Sequence, residues 1–116
     1  MGAKELLKFT QVVLKDLKAR DIYTLDVQNL TSIADYLVIA SGTSKRHVQS
    51  VSENLMQTAK QAGEIPIGIE GKENGEWVLI DLTDVVIHIM QPSVRELYKL
   101  EDLWSVGSNR NTNLYV

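Results

Sequence analysis

Apolar residues recur at Leu6, Phe9, Val13 and Leu17, with Leu7 and Leu14 beside them and lysines largely between. This spacing is helical and predicts an amphipathic first helix of about 17 residues ending near Arg20 and Asp21. The period then changes to two. Tyr23, Leu25 and Val27 alternate with Thr24 and Asp26, as in a strand with one buried face. Residues 36–40 are an unbroken apolar run, which fits a strand covered on both faces. Ser41, Gly42, Thr43 and Ser44 interrupt it. A second helical stripe follows at Val48, Val51, Leu55, Ala59 and Ala62, with Gly63 as its stop.

Ile65, Ile67 and Ile69 alternate again, and Pro66, which has no N–H to give to a sheet, puts this third strand near an edge. Residues 77–82 and 85–90 are β-rich runs joined by Thr83 and Asp84, which predicts an antiparallel hairpin. Pro92 ends the second run. Ser93 and Glu96 have the spacing of a capping box, so a last helix is expected with Val94, Leu97, Leu100 and Trp104 on its apolar face. The order is helix, two strands, helix, three strands, helix. It predicts one α/β domain over residues 1–104, a mixed five-stranded sheet flanked by helices. From Ser105 to Val116 the chain turns polar and aperiodic, as expected of a loosely held tail.

Composition narrows the class without naming it. Of 116 residues, 44% are hydrophobic and 23% charged, ordinary globular values that speak against wholesale disorder. With no cysteine there is neither a disulfide nor a thiolate metal site, and a reducing compartment is allowed. No apolar run reaches the length of a membrane span, and the start lacks a signal-peptide core. Met1-Gly2 suggests myristoylation, but Leu6 stands where Ser or Thr is required. The expected location is a bacterial cytoplasm, with no membrane partner. A net charge of −3 argues against a protein that grips nucleic acid by its phosphates. Between positions 64 and 84 six acids (Glu64, Glu70, Glu73, Glu76, Asp81, Asp84) face Lys72 alone, a net of −5. Such a region steers toward a basic partner; its plainer reading is a solvated rim.

Chemistry finds little footing. The turn at Gly42, Thr43 and Ser44 lies between a buried strand and a helix, where phosphate can be cradled. It is similar to the turn opening a nucleotidyltransferase active site. Those enzymes need two carboxylates one residue apart on the next strand to hold magnesium. Here residues 65–70 offer only Glu70, while Asp81 and Asp84 lie later and three apart. The turn also lacks the Gly-Lys-Ser/Thr ending of a P-loop. His47 and His88 have no second histidine or cysteine nearby, so no metal site is expected. His88 shares a strand face with Val86 and Met90, and its ordinary reading is a partly buried, hydrogen-bonded side chain. No serine sits in a nucleophile elbow. No cofactor is implied, and the chain does not read as an enzyme.

The aromatic residues are more informative. If Val78, Ile80 and Leu82 face the core, Trp77 and Leu79 share the other face with Asp81, an acid that resists sealing inside. Tyr98 and Glu101 fall off the last helix's apolar stripe, with Arg95 one turn away. Trp, Tyr and Arg rimmed by acids have the composition of an interaction hot spot, although a buried tryptophan is the commoner case.

Several short motifs then fall in one order: Asp26-Val27, Ser32-Ile33-Ala34-Asp35-Tyr36, Gly42-Thr43-Ser44 with Arg46-His47-Val48, and Pro66 with Glu70-Gly71. Trp77-Val78-Leu79-Ile80-Asp81, Asp84-Val85-Val86-Ile87-His88, and Arg95 with Tyr98, Leu100, Glu101, Leu103 and Trp104 complete the series. Their order and spacing over residues 6–104 resemble the Iojap-like family of ribosomal silencing factors; the tail lies outside the pattern. The resemblance implies a nucleotidyltransferase-like fold without the catalytic carboxylates. It implies binding to the large ribosomal subunit through its fourteenth protein, a steric block to small-subunit joining when nutrients are scarce, a role in large-subunit maturation, and a homodimer when free. The hairpin and last helix then make Trp77, Leu82, Met90, Arg95, Tyr98 and Lys99 the expected contact. Glu70, Glu73, Glu76 and Asp84 supply acidic complementarity to a basic ribosomal protein.

Overall fold

A computed structural model describes the backbone of residues 1–107 and the side chains of residues 1–103. Its sheet has the order β1-β2-β5-β4-β3, from β1 (Arg20–Asp26), β2 (Tyr36–Ser41), β3 (Gly68–Glu70), β4 (Trp77–Asp81) and β5 (Val85–Met90). β2 and β5 run parallel at the centre, and every other pair is antiparallel. All residues of β2 and β5 are buried, as the unbroken apolar run at residues 36–40 required of β2. The mixed five-stranded sheet with flanking helices is the expected fold class.

Alternation divides the core in two. Val38, Ala40, Val78, Ile80, Ile87 and Ile89 point to one side. There they meet Leu6 and Leu14 of α1 (Ala3–Asp16) and Val48, Val51, Leu55 and Ala59 of α2 (Lys45–Gln61). Leu37, Ile39, Val86 and Met90 point to the other side, against Val27 and Ala34 and, at its margin, Trp77, Leu79, Val94 and Leu100.

Four expectations from the pattern are corrected. α1 ends at Asp16, a turn early, because Lys18 takes a left-handed conformation (φ 67°) and the Ala19 N–H returns to the Leu14 carbonyl. β3 keeps only three residues, leaving Ile65 and Ile67 outside it and exposed. Ser93 caps nothing: Pro92, whose fixed φ suits the first helical position, starts α3 (Pro92–Tyr98) with Gln91 as the N-cap. The last helix is also two. Lys99 is left-handed (φ 49°), so α3 stops and α4 (Leu100–Gly107) leaves in a new direction.

That break resets the helical phase. Val94 and Leu100 reach the core, but Leu97, expected beside them, is 75% exposed. The Trp104 side chain lies outside the described residues. Of the expected tail, residues 105–107 belong to α4 and the remainder lies outside the described residues.

Candidate functional site

Trp77 opens β4 on the face away from α1 and α2. As alternation requires, Val78 and Ile80 are sealed while Trp77, Leu79 and Asp81 are half-buried. The indole Nε1–H donates to His88 Nδ1 on β5 at 2.8 Å. The imidazole proton is therefore assigned to Nε2. His88 is buried, and burial pushes its pKa down from 6.5 to about 4, so the ring is the neutral acceptor that the indole needs. On its outer side the indole meets Tyr98 of α3, with ring centroids 4.9 Å apart and planes tilted by 51°. Such a pair adds about 1 kcal/mol beyond its burial. Tyr98 is itself 54% exposed, and the exposed Leu97 lies beside it in sequence. The result is an aromatic ledge of Trp77 and Tyr98 at the surface, with the exposed Leu97 next to it along α3.

Arg95 holds this ledge in place. Its Nε donates to Glu101 of α4 at 2.7 Å and one terminal nitrogen donates to Ser41 Oγ of β2 at 2.9 Å. Only 12% of the side chain is exposed. The left-handed turn at Lys99 redirects the chain between α3 and α4, and Glu101 meets Arg95 just after it. Arg95 also lines a cleft of about 430 Å³ with Asp21, Ser41, Glu96, Lys99 and Asp102. Arg95→Ala should lower stability by about 2 kcal/mol, since it removes two hydrogen bonds to a charged group. Urea unfolding measures this; a loss below 0.5 kcal/mol, roughly the scale of an exposed pair, contradicts the brace.

The expected site residues are thus divided. Trp77 and Tyr98 come together at the surface, and Lys99, also exposed, follows Tyr98 in sequence. Arg95 is close but engaged internally. Leu82 and Met90 are corrections: Leu82 packs in the α1–α2 core and Met90 is fully buried beneath the opposite face, so neither presents a contact surface. The acids are split as well. Glu73 and Glu76 lie in the segment joining β3 to β4, at the Trp77 end of the hairpin, and Glu70 ends β3. Asp84 is in the turn at the hairpin's other end, where its carbonyl receives the Asp35 and Tyr36 N–H groups. Leu97 was missed, because no Gly or Pro marks the break that turns it outward.

The Gly42 turn is occupied by its own chain. The Gly42 N–H donates to the Met90 carbonyl and the Thr43 N–H to His47 Nδ1 at 2.9 Å. Ser44 caps α2 by accepting from the His47 N–H, and His47 Nε2 reaches the Leu17 carbonyl at 3.2 Å. A Cβ on Gly42 would lie 2.6 Å from Val48 Cγ2, so glycine here lets strand and helix approach. Three of the amides that would meet a phosphate, those of Gly42, Thr43 and His47, are thus engaged. Among the described residues no group of three His, Asp or Glu has metal-holding geometry, and no helix is long and apolar enough to cross a membrane.

The family model described as "Ribosomal silencing factor during starvation" matches residues 1–114. The chain belongs to this family. The match continues past Trp104, where the resemblance in the sequence stopped. Ribosomal silencing factor RsfS of Chromobacterium violaceum is 41% identical over 104 residues, covering 90% of this chain and 85% of the relative. A crystal structure of a protein from the same organism has a TM-score of 0.88 at 41% identity, covering 90% of this chain and 88% of that one. The mouse protein named "Mitochondrial assembly of ribosomal large subunit protein 1" is 36% identical over 111 residues, covering 93% of this chain and 49% of its own length. Membership supports a ribosome-associated silencing role, that of a regulatory protein, and it indicates no catalytic activity.

Proposed function

We propose that the protein binds the large ribosomal subunit through its fourteenth protein and sterically prevents the small subunit from joining, damping translation when nutrients are limiting. The observation that carries this reading is the braced Trp77–Tyr98 ledge, with exposed Leu97 beside Tyr98, in a chain of the silencing family. Tryptophan and tyrosine held in fixed rotamers lose little entropy on binding, and they dominate interface energies. Lys99 stands at one side of the ledge, and Glu73 and Glu76 at its Trp77 end favour a basic protein surface over RNA. Blocking requires occupancy of the intersubunit surface and nothing else. The protein is then not an enzyme, takes no cofactor or metal, and acts in the cytoplasm as one domain of residues 1–104 with a short tail. A role in large-subunit maturation and a homodimer when free belong to the same reading.

Trp77→Ala should weaken binding to isolated large subunits by about thirtyfold, on the order of 2 kcal/mol. Because Trp77 also supports Tyr98 and His88, Leu97→Asp is the companion variant: its side chain is exposed, so the fold is retained while the ledge gains a charge. Binding of both variants at wild-type affinity, with folding confirmed by circular dichroism, removes the ledge from the interface.

A further inference from the structure

The two edges of the five-stranded sheet differ in how they would receive a sixth strand. β1 is protected: Asp21 is left-handed (φ 50°), the register shifts between Arg20 and Tyr23, and Arg20, Asp21 and Asp26 carry charge along it. Bulges and charges of this kind discourage another strand from pairing. β3 has neither a register shift nor a left-handed residue, its charge is confined to Glu70, and Pro66 stands before the paired residues. Residues 65–69 read Ile-Pro-Ile-Gly-Ile, and Ile65 and Ile67 are each 68% exposed. Among the described residues only β4 pairs with β3, so alternate N–H and C=O groups of residues 68–70 are directed outward, away from β4.

Charge selects what this edge accepts. Residues 64–76 hold Glu64, Glu70, Glu73 and Glu76 against Lys72, four acids less one base, a net of −3. Lys72 is held by Glu53 at 2.9 Å, and Glu64 lies 3.3 Å from the N-terminal ammonium. Glu70 and Glu73 are exposed, and both border a cleft of about 770 Å³ next to β3, shared with Gln49, Glu53 and Ile69. Gln49 anchors the far wall by donating to the Lys72 and Glu73 carbonyls. A nucleic-acid backbone is repelled here, whereas a polypeptide with lysine or arginine between apolar residues is complementary in both charge and hydrogen bonding.

We propose that β3 and the residues leading into it form a second protein-binding site, in which an extended basic segment of a partner adds to the outer edge of Gly68–Glu70 as a sixth strand. Its apolar side chains cover Ile65 and Ile67 while its cations meet Glu70 and Glu73. The paired edge is three residues long, roughly 10 Å, and the exposed Ile65 and Ile67 before it extend the contact. The site is separate from the aromatic ledge: Ile69 packs toward α1 and α2, whereas Trp77 lies on the opposite face.

The test is a nitrogen-15 NMR titration of the full chain with an eight-residue peptide of alternating valine and lysine. Shifts and slowed amide exchange are expected over residues 65–70. An alternating valine–glutamate peptide should leave the spectrum unchanged. Ile65→Gln with Ile67→Gln, neutral changes at exposed positions, should weaken the lysine peptide about tenfold, whereas Trp77→Ala should leave its binding intact. No binding, shifts scattered over acids throughout the molecule, or full affinity in the double variant overturns the proposal. Because the probe is a free peptide, the result is independent of whether the aromatic ledge binds the ribosome.

Discussion

Gly71→Ala should destabilise the protein by about 3 kcal/mol and weaken whatever binds the Trp77 surface. Gly71 has φ +84°, where an L-residue costs roughly 1–2 kcal/mol. An added Cβ would also collide with the carbonyl oxygen of Trp77, a backbone atom that cannot swing aside as a side chain can. Relief must come from displacing the start of β4, and Trp77 is its first residue. Gly63→Ala is the control. Gly63 has a similar φ of +86° but nothing within 4 Å of the new methyl, so only the conformational cost of about 1 kcal/mol is expected. Urea unfolding of the two variants isolates the collision. Equal losses would show that the Gly71–Trp77 approach yields easily and does not fix the tryptophan.

Acid should cost stability of similar size through His88. Its pKa is lowered from 6.5 to about 4 by burial, so between these values the unfolded chain takes up a proton that the folded chain refuses. The stabilisation is complete above pH 6.5. It falls by about 1.4 kcal/mol per pH unit below that and is lost, about 3 kcal/mol in all, near pH 4. The hydrogen bond acts in the same direction, since a protonated Nδ1 cannot accept from the Trp77 indole. His88→Gln removes the titration while keeping an acceptor. Unfolding in urea at pH 7, 5.5 and 4.5 should show the wild type losing stability more steeply than the variant, with carboxylate titration common to both. Identical pH slopes would mean that His88 is protonated in the fold, and the buried Trp77–His88 pair would be wrong.

The fold was largely legible because its strands differ in kind. The unbroken run at residues 36–40 marks a central strand, the alternation at 77–81 marks a half-covered one, and Pro66 marks an edge. The reading of His88 as buried and hydrogen-bonded agrees with its place beneath Trp77. What stayed hidden lay in backbone geometry without a residue signature. Lys18 and Lys99 adopt left-handed conformations that sequence assigns to Gly or Asn, so one helix was read too long and two were read as one. Leu82 continues the Val78–Ile80 face that alternation itself sends into the core, but Met90 escaped for another reason. A strand's period separates its two faces but does not reveal that a third layer, from the 27–34 segment and α3–α4, covers the second. Arg95 looked like a contact because the turn that brings Glu101 to it depends on Lys99.

The most direct test of the silencing account is sucrose-gradient sedimentation of purified small and large subunits mixed in the presence of the protein. The account predicts that the protein co-migrates with the large subunit and that the joined particle disappears in proportion. It further predicts that Trp77→Ala and Leu97→Asp restore joining. A protein that remains at the top of the gradient while the joined particle forms undiminished contradicts it.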